Sequence, residues 1–184
     1  KGVRKLTGCS EGYKIIPDRI ETGTFIVASS ITSGDIKISN AIFEHNKSLI
    51  EKIKLAGAKI STTNKILRVT GSKKIKSIDA ETQVYPGFAT DVQPLWMALM
   101  SIASGESIIT ETIFENRLQA VAEFIKMGAD IKIKGNAAII KGVKNLTGAK
   151  VVASDLRAAA ALILAGLSAK GRTEITGLEY LDRG

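Results

Sequence analysis

The sequence predicts an α/β (α+β) domain built from a repeated β-α-β-α-β-β unit, and three observations lead to this fold class. The chain begins KGVRKLTG, and at 141–148 the phrase returns as KGVKNLTG with six of eight residues unchanged. Asp155 precedes Gly171 by 16 residues, just as Asp18 precedes Gly34. Runs with strand-like alternation separate runs with helical periodicity. We therefore expect a tandem array with a period of about 70 residues, cut inside a unit at both ends.

The first unit shows each expected element in order. Asp18 stands before an apolar stretch, as the N-cap of a buried helix would, and Gly34 ends that stretch. The run DIKIS then alternates like a strand, and SLIEKIKLAG has apolar residues at helical spacing. Gly57, in a Gly-Ala pair, closes this second helix. AKISTT and KILRVTG follow as the two strands of a hairpin.

The second and third units repeat this order. Asp91 precedes Gly105 by 14 residues in TDVQPLWMALMSIASG, and the strand ESIITE, the helix RLQAVAEFIKMG and the hairpin ADIKIKG with AAIIKGV follow. The third unit supplies LRAAAALILAGL, which is apolar on all sides and is therefore expected to be central. RTEIT is its next strand. We expect the three Asp-headed helices to pack together inside, the sheets to lie outside, and the whole to have pseudo-threefold symmetry.

Composition limits the classes of function. The net charge is +8, and residues 1–80 carry all of it, with 15 Lys and Arg against 7 Asp and Glu. Ordinary solvated faces explain this excess, and attraction for an anionic ligand or nucleic acid is the alternative. Aromatic residues, at 5%, do not interleave with the basic ones, so nucleic acid is not favoured. Cys9 is the single cysteine, which fits a reducing, cytoplasmic setting.

Five stretches closely resemble one protein family over nearly the whole chain: PDRIETGTF, TDVQP, ETIFENR, SDLRAAAALILAGL and LDRG. They resemble the enolpyruvyl transferases, and among them the bacterial UDP-N-acetylglucosamine 1-carboxyvinyltransferases. The resemblance implies two domains, each an inside-out α/β barrel of three units. It makes residues 1–184 a single globular domain of about two and a half units, without the amino-terminal domain that carries the family's reactive cysteine.

The same resemblance implies an activity. The family transfers the enolpyruvyl group of phosphoenolpyruvate to the 3′-hydroxyl of UDP-N-acetylglucosamine, by addition followed by elimination of phosphate. This is the first committed step of peptidoglycan synthesis. The implied partners are these two substrates and the missing domain, with neither a cofactor nor a metal and without a membrane. His45 is the only histidine and has no second ligand candidate nearby, so no metal site is expected.

The resemblance also assigns site residues. Asp91 matches the carboxylate that accepts the sugar proton, while its alternative role is a helix N-cap. Asp155 would help to hold the reacting groups, or only cap its helix. Arg157 would contact the ligand, or only be a solvated first-turn residue. The remaining matches bind substrate: Ile113 through its backbone, Glu115 and Arg117 beside the nucleotide sugar, and Arg183 at phosphoenolpyruvate.

Two other functions stay open from the sequence. One is an enzyme of the 5-enolpyruvylshikimate 3-phosphate synthase type, which uses the same donor. The other is a non-catalytic basic repeat domain that binds nucleic acid. The zero net charge of residues 81–184, where most candidate site residues lie, argues against the second.

Overall fold

The helices follow the predicted order. A computed structural model describes residues 2, 4–5, 7–9 and 11–181 of the chain. Within these residues, the α-helices are α1 (Arg19–Ile31), α2 (Lys47–Leu55), α3 (Gln93–Met100), α4 (Val121–Lys126) and α5 (Leu156–Ser168). Short 3₁₀ turns lead into three of them, at Phe43–Asn46, Thr90–Val92 and Arg117–Ala120, and another spans Leu178–Tyr180.

The strands form three sheets, one for each unit. In the first, β1 (Asp35–Ser39), β2 (Lys59–Thr63) and β3 (Ile66–Thr70) pair antiparallel in the order β1-β3-β2. The second has the order β4-β5-β7-β6, from β4 (Ala80–Glu81), β5 (Glu106–Thr110), β6 (Asp130–Lys134) and β7 (Ala137–Lys141). In the third, β8 (Lys150–Val152) runs parallel to β9 (Glu174–Thr176). The second unit, β4-α3-β5-α4-β6-β7, contains every predicted element.

The three Asp-headed helices pack together at the centre, as predicted. Each of α1, α3 and α5 contacts the other two. Every residue of α3 is buried, and Trp96 within it is fully covered. The indole of Trp96 meets the Phe88 ring edge-on at 5.8 Å between centroids, and its Nε1 donates to the Ile78 carbonyl at 3.2 Å. Burial of one such side chain stabilises the fold by roughly 1.5–3 kcal/mol.

Left-handed glycines directly follow the C-caps of two α-helices, α2 and α4. Gly57 and Gly128 adopt left-handed backbone at φ +113° and +84°, as their helix-closing positions require. Gly105 and Gly171 are left-handed as well, but they stand five and three residues beyond the ends of α3 and α5, so they do not end those helices as predicted. The prediction that a glycine makes the stop after α1 is wrong in detail, because Ser33 adopts the left-handed conformation there, at φ 54°.

The repeated phrase KGVK marks a close approach between a hairpin and a central helix. The amide of Gly142 donates to the Gly105 carbonyl at 3.0 Å, and Val143 donates to the Ser101 carbonyl at 2.8 Å. A Cβ on Gly142 would lie 1.6 Å from the carbonyl oxygen of Ala103. Glycine is therefore required where the hairpin of the second unit returns to the end of α3.

Glu123 connects the second unit to the third. One oxygen of its carboxylate accepts from the Val152 amide of β8 at 2.9 Å, and Lys126 donates to the other at 2.7 Å. Burial raises the pKa of Glu123, but the hydrogen bonds from Lys126 and Val152 and the Lys126 charge lower it more. The pKa of Glu123 is therefore below its ordinary value, and the carboxylate is ionised when it makes this contact at neutral pH.

The part of the chain that the structure describes has no helix of the length and apolarity that crossing a lipid bilayer demands.

Candidate functional site

Asp91 differs from its counterparts in the other two units. Asp18 Oδ1 accepts from the first-turn amides of α1 at 2.6 and 3.2 Å, and Asp155 Oδ1 accepts from those of α5 at 2.8 and 3.1 Å. Both are N-caps. Asp91 makes no capping bond. The expectation that all three aspartates cap their helices is therefore wrong at Asp91.

The local sequence explains why Asp91 is not a cap. A capping carboxylate accepts from the amide two or three residues after it. Two residues after Asp91, the amide of Gln93 already donates to the Thr90 carbonyl, within the 3₁₀ turn that leads into α3. Three residues after it stands Pro94, which has no amide hydrogen. The carboxylate of Asp91 is left for other partners.

Those partners are two arginines from different units. Arg117 Nη2 donates to Asp91 Oδ1 at 3.1 Å, and Arg157 Nε donates to the same oxygen at 3.0 Å. The side chains of Asp91, Arg117 and Arg157 are 31%, 11% and 29% exposed. Arg157 is therefore not a merely solvated residue. Among the described residues, none donates to Asp91 Oδ2, so this oxygen can accept a proton or hydrogen bond from a ligand.

Arg117 is fixed from two further sides. The Phe114 ring lies 4.5 Å from the carbon of its guanidinium, within cation–π distance. Its Nε donates a long bond of 3.4 Å to the Thr90 hydroxyl. Thr90 is the residue directly before Asp91, so Arg117 contacts two consecutive residues of the same turn.

A buried carboxylate that was not among the predicted site residues, Glu111, contacts the segments that carry Asp91 and Arg117. Glu111, only 4% exposed, accepts at Oε1 from the Thr82 hydroxyl at 2.7 Å and from the amides of Ile113 and Phe114 at 2.8 and 2.9 Å. Its Oε2 accepts from the Thr90 hydroxyl at 2.9 Å. The available signal was its place at the end of β5 in the quoted stretch ETIFENR.

Three cavities lie around these residues. One of about 670 Å³ is lined by Arg117, Asp155 and Arg157. One of about 400 Å³ is lined by Asp91 and Arg157 together with Asp18, Glu21 and mostly apolar side chains. The two share Arg157 and so adjoin at the predicted site residues.

A third cavity, of about 550 Å³, contains Ile113 and Glu115 and shares Phe114 with the first. The amide of Ile113 is bonded to Glu111, which leaves its carbonyl as the backbone group that it can offer. Glu115 is exposed. Arg183, the predicted phosphoenolpyruvate ligand, lies outside the described residues.

Comparison with known proteins supplies the family. The sequence profile described as EPSP synthase (3-phosphoshikimate 1-carboxyvinyltransferase) matches residues 1–184. The chain belongs to the EPSP synthase family. Within this family it is 57% identical, over 184 residues, to the UDP-N-acetylglucosamine 1-carboxyvinyltransferase of Desulfosudis oleivorans. It is 51% identical to UDP-N-acetylglucosamine 1-carboxyvinyltransferase 1 of Caldanaerobacter subterraneus. In both, the match covers 100% of this chain and 44% of the relative.

Solved structures agree on the fold of this EPSP synthase family member. The enolpyruvyl transferase NikO from Streptomyces tendae matches with a TM-score of 0.83 at 24% identity, over 92% of this chain and 41% of that one. EPSP synthase from Acinetobacter baumannii matches with a TM-score of 0.71 at 21% identity, over 88% and 42%. The predicted α/β fold class and the resemblance to enolpyruvyl transferases are thus confirmed.

Proposed function

We propose that this chain is one domain of a complete enzyme that transfers the enolpyruvyl group of phosphoenolpyruvate to the 3′-hydroxyl of UDP-N-acetylglucosamine. Relatives of 49–57% identity over the chain, all named for this activity, support the choice of substrates. The observation that carries the proposal is the Asp91 carboxylate, with Oδ1 held by two arginines and Oδ2 open. The product would enter peptidoglycan synthesis, in the cytoplasm, and so serve cell shape and division.

Asp91 acts as the base in this proposal. As the sugar oxygen bonds to C2 of phosphoenolpyruvate, its proton passes to Asp91 Oδ2, and a proton from another group reaches C3. Loss of a proton from C3 and cleavage of the bond to the phosphate oxygen then restore the double bond and release phosphate. A hydroxyl is a poor nucleophile, so the proton acceptor must be placed within hydrogen-bond reach of it. The two arginines that hold Oδ1 fix that placement.

The arginines have a second use. Both substrates are anions, and guanidinium groups bind carboxylates and phosphates through paired donors. Arg117 and Arg157 spend one donor each on Asp91 and line the larger cavity beside Asp155. We assign phosphoenolpyruvate to this cavity, and the binding of phosphoenolpyruvate by Arg183 stays a prediction from the resemblance. The nucleotide sugar is assigned to the side of Ile113 and Glu115.

One alternative acceptor is supported by a specific observation. The matching family profile carries the name of 3-phosphoshikimate 1-carboxyvinyltransferase. To separate the two, the complete protein that contains this chain is given phosphoenolpyruvate with UDP-N-acetylglucosamine or with shikimate 3-phosphate, and phosphate release is measured. We expect release with the UDP-sugar. Release with shikimate 3-phosphate alone would overturn the assignment.

Asp91→Asn in the complete protein tests the base directly. Asparagine keeps an oxygen for the two arginines but does not take the sugar proton, and a lost general base costs about 10²–10⁴ in rate. We expect kcat to fall at least 10²-fold, with only a small fall in Tm. The control is Asp35→Asn, which changes an Asp–Arg pair with Arg68 on an exposed strand and should leave kcat unchanged. Near-normal kcat in Asp91→Asn would place the base elsewhere.

A further inference from the structure

Glu111 is a buried carboxylate whose role the proposed reaction does not explain. A charge that leaves water is costly unless hydrogen bonds satisfy it. Here, among the described residues, the donors are two hydroxyls and two amides, and neither lysine nor arginine bonds to it directly. An apolar side chain of similar size would fill the same space without these bonds, so the two carboxylate oxygens matter for the four groups that donate to them.

Those groups belong to three separate segments of the chain. Thr82 follows β4, Thr90 stands next to Asp91, and the amides of Ile113 and Phe114 belong to the loop that leads to Arg117. One carboxylate therefore holds the turn that presents Asp91 and the loop that presents Arg117. Arg117 Nη2 and Asp91 Oδ1, which belong to these two segments, lie 3.1 Å apart.

The direction of the hydrogen bonds gives Thr90 a defined function. A hydroxyl has one hydrogen to donate and lone pairs that accept. Arg117 Nε can only donate, so the Thr90 oxygen accepts from it and the hydroxyl hydrogen is donated to Glu111 Oε2 at 2.9 Å. The lone pairs of the hydroxyl then face Arg117 Nε, 3.4 Å away. Glu111 thus orients Thr90 to receive the arginine that in turn holds Asp91.

We propose that Glu111 is a positioning residue, which holds Asp91 and Arg117 in their mutual geometry through Thr90 and through the Ile113 and Phe114 amides. The inference rests on the proposed function, since it gives Asp91 the task of a base. Displacement of a reacting group by about 1 Å can cost about 10² in rate. Removing the hydrogen bonds of Glu111 should therefore reduce the rate of the chemical step while leaving substrate binding largely intact.

Three variants of the complete protein test this: Glu111→Gln, Thr90→Val and Thr90→Ser. Glutamine can keep its oxygen toward Thr82 and the two amides, but it then turns an NH₂ group, a donor, toward Thr90. Valine matches threonine in shape and removes the hydroxyl, while serine keeps it. We expect Glu111→Gln and Thr90→Val to lower kcat by about 10–10²-fold and to change KM for the UDP-sugar by less than about threefold. Thr90→Ser should retain kcat within about threefold of wild type.

The double variant separates positioning from general loss of stability. If Glu111 acts through Thr90, Glu111→Gln combined with Thr90→Val should lower kcat little more than either change alone. If instead the fold-losses of kcat in the two single variants multiply in the double variant, Glu111 does not act through Thr90, and this inference is overturned. If Glu111→Gln does not fold, the comparison of Thr90→Val with Thr90→Ser decides. Equal kcat in these two would overturn the inference, since only the hydroxyl differs in the relevant way.

Crystal structures of the wild type and of Thr90→Val give a measure that is independent of activity. We expect the Arg117 Nη2 to Asp91 Oδ1 distance to lengthen in the variant. Wild-type transfer together with normal kcat in both Glu111→Gln and Thr90→Val would overturn this inference and leave the proposed function standing. A wild-type protein without transfer would overturn the proposed function, and an unchanged distance in Thr90→Val would then also remove the positioning role.

Discussion

Asp18, Asp91 and Asp155 stand before the central helices of three successive units, yet the structure uses them in two ways. Two of them spend Oδ1 on first-turn amides, while Asp91 spends Oδ1 on arginines from elsewhere in the chain. The difference begins with Pro94, which removes an amide that a cap would need. The aspartate before the central helix therefore caps that helix in the first and third units but not in the second. The second unit is the one in which we propose that this aspartate, Asp91, is the base.

Asp155 allows the cap to be separated from catalysis. Both of its oxygens are occupied, Oδ1 by two amides and Oδ2 by the Ser154 hydroxyl at 3.1 Å. Asparagine caps about as well as aspartate, so Asp155→Asn should keep Tm close to wild type in the complete protein. We expect kcat to fall, because charge is lost beside Arg157, but by less than in Asp91→Asn.

The matched control for Asp155→Asn is Asp18→Asn, which makes the same change at the equivalent cap of α1. It should not alter Tm appreciably, and it should lower kcat less than Asp155→Asn does, because Asp18 lines the smaller cavity but bonds to neither arginine. If Asp155→Asn behaves like this control, Asp155 is only a cap. If its loss of kcat equals that of Asp91→Asn, the distribution of roles between the two aspartates is wrong.

At the scale of elements, the sequence predicted the helices and strands well because each is specified locally. Periods of 3.6 and 2 and the glycine stops lie within runs of about ten residues. The contact of Arg157 with Asp91 joins residues that are 66 apart in sequence, and it depends on how two units meet. Two local signals marked Asp91 as a non-cap: Pro94 three residues after it, and a spacing to the next glycine of 14 residues instead of 16. Glu111 gave no periodic signal, because its burial depends on three converging segments.

Gly142→Ala tests the close approach between β7 and α3. The new Cβ would meet the Ala103 carbonyl oxygen at 1.6 Å, and backbone on both sides must move to relieve the contact. We expect a loss of about 3 kcal/mol or more in the free energy of unfolding, since strain of this kind belongs to the strongly destabilising mechanisms. Chemical denaturation of the complete protein, followed by a fluorescence signal from Trp96, would measure it.

Gly166→Ala is the control for this substitution. Gly166 lies inside α5, where alanine is favoured over glycine by about 1 kcal/mol, and the nearest atom to its Cβ is Thr173 Cβ at 3.4 Å, an ordinary contact. The same change of residue should therefore be neutral or stabilising at position 166. A comparable loss at both positions would mean that the contact with Ala103 is not what makes Gly142 necessary.

At the scale of the whole molecule, the described residues cover the candidate base only in part. Asp91 and Arg157 keep about a third of their side-chain surface exposed to solvent. The chain spans about 44% of the length of the relatives that it matches. Transfer of an enolpyruvyl group between two anions needs a site closed from water. We therefore infer that the remaining part of a complete enzyme supplies the opposite wall and the group that protonates C3.

The isolated 184 residues should accordingly show no turnover. The experiment measures phosphate release from phosphoenolpyruvate and UDP-N-acetylglucosamine by this chain alone, beside the complete protein at equal concentration. Circular dichroism and a cooperative unfolding transition must first show that the isolated chain is folded, so that inactivity reflects the missing wall. Addition of the remaining part as a separate polypeptide should then restore some release, because it supplies the missing groups without altering Asp91 or its arginines. Robust turnover by the folded chain alone would show that its own residues complete the site, and the two-wall account would have to be abandoned.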